Sequence, residues 1–117
     1  MKVLNVDDSV TMRKIVTLAM QARGFTVEEA GNGQEALDQI KESGDPDLIV
    51  LDINMPVMTG MQFLEVYRGS APIVVLTTQF EEDVRKKALL QGAKAFLTKP
   101  FKKEDLLAVV DDLGLAG

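Results

Sequence analysis

Four positions in this chain have side chains suited to acid, ligand or charge chemistry and stand at or near the ends of short apolar runs: Asp7-Asp8, Asp52, Thr77 and Lys99. The runs are rich in β-branched or bulky residues, which predicts buried strands. They cover residues 3–6, 48–51, 73–76 and 95–97. Because parallel strands of one sheet end on the same edge, we expect the four positions to meet there.

Three carboxylates at one edge repel one another. At a separation of about 4 Å and an effective dielectric constant near 20, each pair costs about 4 kcal/mol. Lys99 supplies one compensating positive charge. Carboxylate oxygens that face open solvent also suit a hard divalent ion such as Mg²⁺, which keeps several waters and takes few protein ligands. The sequence therefore predicts a shared cation site formed by Asp7, Asp8 and Asp52.

Each of these residues taken alone also fits a purely structural role. An acidic pair is favoured at a helix N-terminus by the helix dipole, and Asp52 suits a turn after its strand. Thr77 suits a strand end, and Lys99 before Pro100 suits a surface loop. Separate structural roles do not explain why all of them follow strands on one side, so the shared site is the favoured interpretation.

Helical periodicity fills the chain between the strand runs. Apolar residues recur at helical spacing in four stretches: Met12, Ile15, Val16, Ala19 and Met20; Ala36, Leu37 and Ile40; Val84, Ala88 and Leu89; and Leu106, Val109, Val110 and Leu113. Ser9 and Asn32 are suited to cap the first two helices, and Gly24 to end the first. Residues 26–30 add a fifth strand candidate. Strand and helix alternate five times, which predicts an α/β fold with a parallel sheet covered by helices on both faces.

The composition limits the classes to which the chain can belong. At 117 residues with 46% hydrophobic content, we expect one domain spanning residues 1–117. The absence of Cys excludes disulfides and thiolate metal sites. The net charge of −5 argues against direct nucleic-acid binding, which needs clustered Lys and Arg. Met1 runs directly into a strand and no apolar run approaches about 18 residues, so we expect no signal peptide, no membrane insertion and a cytoplasmic location.

The chain also contains no His. It therefore cannot carry a phosphohistidine or use an imidazole as a general base. Ser9, Ser43 and Ser70 lack an obvious base for nucleophilic catalysis. Any phosphoryl group would therefore have to come from elsewhere, either from a partner protein or from a small phosphodonor.

The motifs at these strand ends resemble a known family. They are Asp7-Asp8, Asp52-Ile53-Asn54-Met55-Pro56 with Gly60 following, Thr77, and Lys99-Pro100-Phe101. Together they are similar to the receiver domains of two-component response regulators, and residues 9–16 with Thr11-Met12-Arg13 resemble the CheY-like, chemotaxis-type receivers in particular. The resemblance spans essentially the whole chain. It implies a flavodoxin-like, doubly wound five-stranded parallel sheet of order 2-1-3-4-5.

The resemblance implies a phosphoryl-accepting site. Asp52 would be the phosphorylation site, attacking the phosphohistidine of a sensor histidine kinase. Asp8, Asp52 and the backbone carbonyl of Asn54 would bind Mg²⁺, and Asp7 would hold a metal-bound water. These roles suit a loose phosphoryl-transfer transition state, which needs positioning and charge neutralisation more than covalent help.

The same resemblance assigns roles to residues around the acceptor. Lys99 and Thr77 would complete the catalytic set by pairing with phosphoryl oxygens, and Thr77 with Phe96 would form a switch. Asn54 and Gln79 would flank the path of the attacking water and tune dephosphorylation. The chain would thus promote its own aspartyl phosphorylation and dephosphorylation, as a signalling domain and not as an enzyme acting on other substrates.

A signalling domain of this kind needs partners. The resemblance implies a histidine kinase as phosphodonor and a downstream target, such as a flagellar motor component or another output protein. No output domain is visible in the sequence. We therefore expect the signal to leave through a surface formed by the fourth helix, the fifth strand and the fifth helix.

Three features depart from the family pattern. Thr78 stands where receivers usually have a smaller residue and would narrow access to the acyl phosphate. The switch aromatic, Phe96, has no phenolic hydroxyl. The segment between Gly60 and Thr77 is shorter than usual and leaves about residues 61–67 for a third helix.

Gly60 itself is expected to shape its loop by adopting a backbone conformation closed to other residues.

Other functional classes remain as alternatives. A haloacid-dehalogenase-like phosphatase also uses an Asp nucleophile and Mg²⁺, but it needs a second Asp where Asn54 stands, and a cap or a longer core. A flavodoxin-like FMN carrier needs a Ser, Thr and Gly-rich phosphate loop, whereas Asp7-Asp8 would repel the phosphate. A degenerate receiver that acts only as an interaction module is disfavoured because every expected site residue is present.

Overall fold

The computed structural model describes residues 1–78 and 82–115. Strands and helices alternate along the chain, as predicted from the apolar runs and the helical periodicity. The elements are β1 (Lys2–Val6), α1 (Val10–Ala22), β2 (Thr26–Ala30), α2 (Gly33–Ser43), β3 (Leu48–Asp52), α3 (Gly60–Val66), β4 (Ile73–Thr77), α4 (Glu82–Leu90), β5 (Ala95–Thr98) and α5 (Lys103–Asp112).

The five strands form one parallel sheet in the order β2-β1-β3-β4-β5, which confirms the expected fold class. From β1 the chain first moves outward to β2 and then returns past β1 to β3. The winding direction therefore changes between β1 and β3, which are neighbours in the sheet. Loops leaving adjacent strands in opposite directions open a crevice at the carboxyl edge. The register pairs Val6 with Leu51, Asp52 with Leu76, and Thr77 with Thr98 along this edge.

Two apolar cores lie on opposite faces of the sheet. One core packs α2, α3 and α4 against the sheet and is built around Phe63, Ile49 and Val75. The other packs α1 and α5 against the second face and is built around Met20 and Leu106. Alternate side chains of the central strands enter opposite cores, which explains why β3 and β4 are continuous apolar runs.

Helix capping follows the sequence closely. The Ser9 side chain accepts a hydrogen bond from the Met12 backbone N–H, and Asn32 accepts one from Glu35, so both predicted N-caps are confirmed. Gly24 follows the end of α1 with a φ of 93°, the left-handed conformation that favours glycine at this position.

The segment after Gly60, which the sequence analysis expects to be short, forms a helix, α3, of 7 residues. It is closed by Tyr67, whose ring stacks on Phe63 with centroids 5.3 Å apart. The Tyr67 hydroxyl donates to Asp45 Oδ1 at 2.7 Å and accepts from the Ala71 N–H at 3.1 Å. Burial, together with the hydrogen bond to Asp45, raises the pKa of Tyr67 to about 12. These contacts tie the short connection to the loop before β3.

Across the described residues, the helices lack the length and apolar character needed to span a bilayer.

Candidate functional site

Three carboxylates converge at the carboxyl edge of the sheet. Asp7 follows β1, with its N–H donating to the carbonyl of Ala30 at 3.1 Å, and Asp52 is the last residue of β3. One oxygen from each of Asp7, Asp8 and Asp52 lies within 4.8 Å of the others. The expectation that these acids face open solvent is correct only for Asp8, because Asp7 and Asp52 are 3% and 6% exposed.

Lys99 lies among these acids. Its Nζ donates to Asp7 Oδ2 at 2.9 Å and to Asp52 Oδ1 at 3.3 Å, and its side chain is 8% exposed. The Lys99 backbone N–H donates to the carbonyl of Thr77 at 2.7 Å, which continues the pairing of β5 with β4 beyond the last paired residues. The following bond to Pro100 is cis. The lysine therefore supplies the cation that the clustered acids require.

The pKa of Asp52 is raised from 3.8 to about 6. The largest cause is burial, followed by the nearby charge of Asp7, while Lys99 opposes both by stabilising the ionised form. The carboxylate of Asp52 is thus ionised but poorly compensated at neutral pH. An added positive charge near Asp52 would therefore favour its ionised form further.

Asp7 and Asp8 are held in different ways. The Oδ1 atom of Asp7 accepts from the Ser9 N–H at 2.9 Å, Oδ2 accepts from Lys99, and the main-chain oxygen accepts from Arg13 Nη1 at 2.6 Å. In the described part of the chain, the Asp8 carboxylate makes no hydrogen bond or ion pair. Asp7 is therefore fixed through its side chain, whereas Asp8 is positioned by the backbone alone.

Arg13 is a residue near the site that the sequence analysis did not predict, although its position in the sequence indicates it. It lies in the first turns of α1, and long helical side chains lean toward the helix N-terminus, which here follows the acidic pair. The buried polar residue Asn5, in an otherwise apolar strand, is a second sign. Its Nδ2 donates to the carbonyl of Arg13 at 2.9 Å and to Thr17 Oγ1 at 3.1 Å.

The loop after Asp52 is shaped differently from expectation. Gly60 does not have a positive φ, so the prediction that it adopts a conformation closed to other residues is wrong. A Cβ at this position would instead lie 2.7 Å from the Cα of Ile53, so glycine is required because two backbone segments touch. The residue with a positive φ is Val57, at 67°, next to a 2.7 Å hydrogen bond from the Met58 N–H to the Pro56 carbonyl.

Thr77 and Phe96 lie on neighbouring strands and on the same face of the sheet. Thr77 is fully buried at the end of β4, and Phe96 on β5 is half-buried against the core that contains Val75. Asn54 and Thr78 are exposed beside the site. Gln79, which the sequence suggests as a residue flanking the attacking water, lies outside the described residues.

Comparison with known proteins agrees with this geometry. The model of the response regulator receiver domain family matches residues 3–111. The chemotaxis protein CheY of Halobacterium salinarum is 35% identical over 115 residues, covering 96% of this chain and 95% of that protein. The response regulator MprA of Mycobacterium tuberculosis is 39% identical over 110 residues, covering 92% of this chain and 47% of MprA. The chain therefore spans about half the length of that longer regulator.

Solved structures give the same result. Chemotaxis response regulator CheY4 of Vibrio cholerae is 38% identical with a TM-score of 0.86, covering 96% of this chain and 97% of that one. A chain in the CheX-CheY-BeF3-Mg complex of Borrelia burgdorferi is 31% identical with a TM-score of 0.91, covering 97% and 89%. These matches set aside the flavin-carrier and dehalogenase-like alternatives. This chain belongs to the family of CheY-like response regulator receiver domains.

Proposed function

We propose that the domain accepts a phosphoryl group on Asp52 from the phosphohistidine of a sensor histidine kinase, in a Mg²⁺-dependent reaction, and then presents a changed surface to a downstream protein. The observation that carries this proposal is the setting of Asp52. Its carboxylate is 6% exposed, lies in a cluster with Asp7 and Asp8, and has the Lys99 ammonium 3.3 Å away.

The donor set fits Mg²⁺. Three carboxylates each offer an oxygen within 4.8 Å of the others, and such hard ligands suit a small divalent ion that retains several waters. Asp8, Asp52 and the backbone carbonyl of Asn54 would hold the ion, and Asp7 would hold a bound water. When bound, Mg²⁺ would neutralise charge on the transferring phosphoryl group.

The residues of the chain supply nucleophile, charge and orientation. A carboxylate oxygen of Asp52 forms a bond to phosphorus while the bond from phosphorus to the kinase imidazole breaks, and the imidazole leaves with the electron pair. The Lys99 ammonium, already between Asp7 and Asp52, is placed to pair with a phosphoryl oxygen. The Thr77 hydroxyl would donate to another. The donor must be external because the chain contains no His.

Phosphorylation would reach the surface through Thr77 and Phe96. A phosphoryl group adds about −1.5 to −2 charge and three acceptor oxygens, which would draw the Thr77 hydroxyl toward Asp52. Space behind Thr77 would then admit the Phe96 ring, which has no hydroxyl to desolvate. The placement of both residues on one face of neighbouring strands supports this coupling. The changed surface would include Lys94 and Lys102.

The rate of dephosphorylation would depend on Asn54 and Gln79, with exposed Thr78 shielding the phosphorus. The partners would be a histidine kinase and an output protein such as a flagellar motor component, without direct contact to nucleic acid. The Borrelia burgdorferi CheY was solved in complex with CheX, which shows that a similar receiver binds another protein. We place the protein in the cytoplasm and treat residues 1–117 as one receiver unit.

Incubation with acetyl phosphate and Mg²⁺, followed by intact mass spectrometry, tests the proposal. We expect a gain of about 80 Da, the mass of one phosphoryl group, that chelation of Mg²⁺ abolishes. Asp52→Asn should show no gain, whereas the matched control Asp38→Asn, an exposed acid on α2, should be modified like the parent. An unmodified parent, or an equally modified Asp52→Asn variant, contradicts the assignment.

A further inference from the structure

We propose that Arg13 is a positioning residue for the metal site, which orients the peptide between Asp7 and Asp8 and thereby aims the Asp8 carboxylate. The inference rests on the proposed function, because it concerns the same Mg²⁺ site. Arg13 lies on α1 and itself contacts neither Asp52 nor Lys99 by a hydrogen bond in the described part of the chain.

The contact that carries the inference is a hydrogen bond to the main chain. Arg13 Nη1 donates to the Asp7 carbonyl oxygen at 2.6 Å. That oxygen belongs to the peptide unit joining Asp7 to Asp8, so the guanidinium fixes the plane from which the Asp8 side chain departs. A charged donor also makes this bond stronger than one between neutral groups.

The two acids depend on this contact to different degrees. Asp7 is held independently, because Ser9 and Lys99 each donate to one of its carboxylate oxygens and Ala30 accepts from its N–H. The exposed Asp8 carboxylate has no comparable partner among the described residues. Loss of the Arg13 contact should therefore disturb Asp8 and leave Asp7 in place.

Arg13 is itself held in a fixed orientation by a network behind the site. Its Nε donates to Glu29 Oε1 at 3.0 Å, and Glu29 Oε2 accepts from the Thr17 hydroxyl at 3.0 Å. Asn5 joins the network by donating to Thr17 and to the Arg13 carbonyl. The network links β1, α1 and β2: the guanidinium is anchored to Glu29, and Thr17 and Asn5 hold Glu29 in turn.

These two contacts depend on the shape of the arginine side chain as well as on its positive charge. One planar guanidinium reaches the Glu29 carboxylate and the Asp7 carbonyl with separate N–H groups in fixed directions. A lysine ammonium is a flexible point charge without this fork. Residues that orient metal ligands in this way typically change metal affinity by about 10- to 100-fold when they are removed.

The test is Mg²⁺ titration of the metal-free protein, followed by amide chemical shifts, with no phosphodonor present. Arg13→Ala should weaken Mg²⁺ binding by about 10-fold or more. Amide nitrogen relaxation should show increased fast motion at Asp8 and not at Asp7. The matched control is Arg23→Ala, which removes the ion pair between Arg23 and Asp111 near the end of α1 away from the site, and it should bind Mg²⁺ like the parent.

Glu29→Gln is a second variant, which keeps Arg13 but weakens its ion pair with residue 29. It tests the role of Arg13 if Arg13→Ala does not fold. We expect it to weaken Mg²⁺ binding less than Arg13→Ala and to mobilise Asp8. Unchanged Mg²⁺ affinity and unchanged Asp8 relaxation in the folded variants overturn the inference alone. A parent protein that does not bind millimolar Mg²⁺ overturns the proposed metal site as well, so the two failures are distinguishable.

Discussion

Replacing Asp52 by Asn should stabilise the metal-free domain at neutral pH. The pKa of Asp52 is raised from 3.8 to about 6 in the folded protein, chiefly by burial and by the charge of Asp7. One pKa unit corresponds to about 1.4 kcal/mol, so ionised Asp52 costs the folded state about 3 kcal/mol at pH 7. Asp52 is 6% exposed but lies at the open edge of the sheet, so solvent screening lowers this cost and about 3 kcal/mol is its upper value.

The direction of the pH dependence follows from proton binding. Between pH 3.8 and about 6 the folded state holds the Asp52 proton more tightly than the unfolded chain does. The free energy of unfolding therefore falls as the pH rises through this window, and the full cost is present above it. Asn at this position does not titrate. The gain in free energy of unfolding for Asp52→Asn should thus be at most about 3 kcal/mol at pH 7 and below about 1 kcal/mol at pH 4.

The free energies of unfolding of Asp52→Asn and the parent are measured by urea unfolding at pH 7 and pH 4, with a chelator present to keep the protein metal-free. Circular dichroism follows the unfolding. Asp38→Asn serves as control, because it removes a surface acid on α2 outside the cluster, and it should change stability by about 0.5 kcal/mol or less. An Asp52→Asn variant that is no more stable than the parent at pH 7 refutes the reasoning. An equal gain in the free energy of unfolding at pH 4 refutes it too, because a gain that does not depend on pH cannot come from the ionisation of Asp52.

Three further outcomes follow from the site. Millimolar Mg²⁺ should raise the melting temperature of the parent and have little effect on Asp8→Ala; an equal shift in both shows that Asp8 is not a ligand. Gly60→Ala should destabilise the fold by about 1 to 3 kcal/mol in urea, because a Cβ would lie 2.7 Å from the Ile53 Cα; parental stability contradicts that contact. Thr77→Ala should keep some phosphorylation but reduce the chemical-shift change at Phe96 on addition of beryllofluoride and Mg²⁺, and a full-sized change removes Thr77 from the coupling.

The sequence predicted the architecture well because the sheet is parallel and covered on both faces. Its central strands are continuous apolar runs bounded by polar residues, so their positions were correct to within one residue, as for β3, which extends through Asp52. The N-caps at Ser9 and Asn32 were also predictable, because capping is a local interaction.

The sequence could not give what depends on contacts between distant segments. Asp7 and Asp52 are buried where Lys99 reaches both of them from a distant part of the chain, and such a contact leaves no periodic pattern in the sequence. Glycine is needed at position 60 because two backbone segments approach each other closely there. In the sequence, such a glycine looks the same as one that is needed for a turn. The bond from Arg13 to a main-chain carbonyl is likewise independent of the acceptor's residue type.

The central claim is that Asp52 is the phosphoryl acceptor, and locating the modified residue tests it most directly. Borohydride reduces an aspartyl phosphate to homoserine, which marks the acceptor permanently for peptide mass spectrometry. After treatment with acetyl phosphate and Mg²⁺, we predict homoserine at position 52 and at no other acid. Homoserine at Asp7 or Asp8, or an unmodified position 52 in a protein that has gained the phosphoryl mass, would contradict the account.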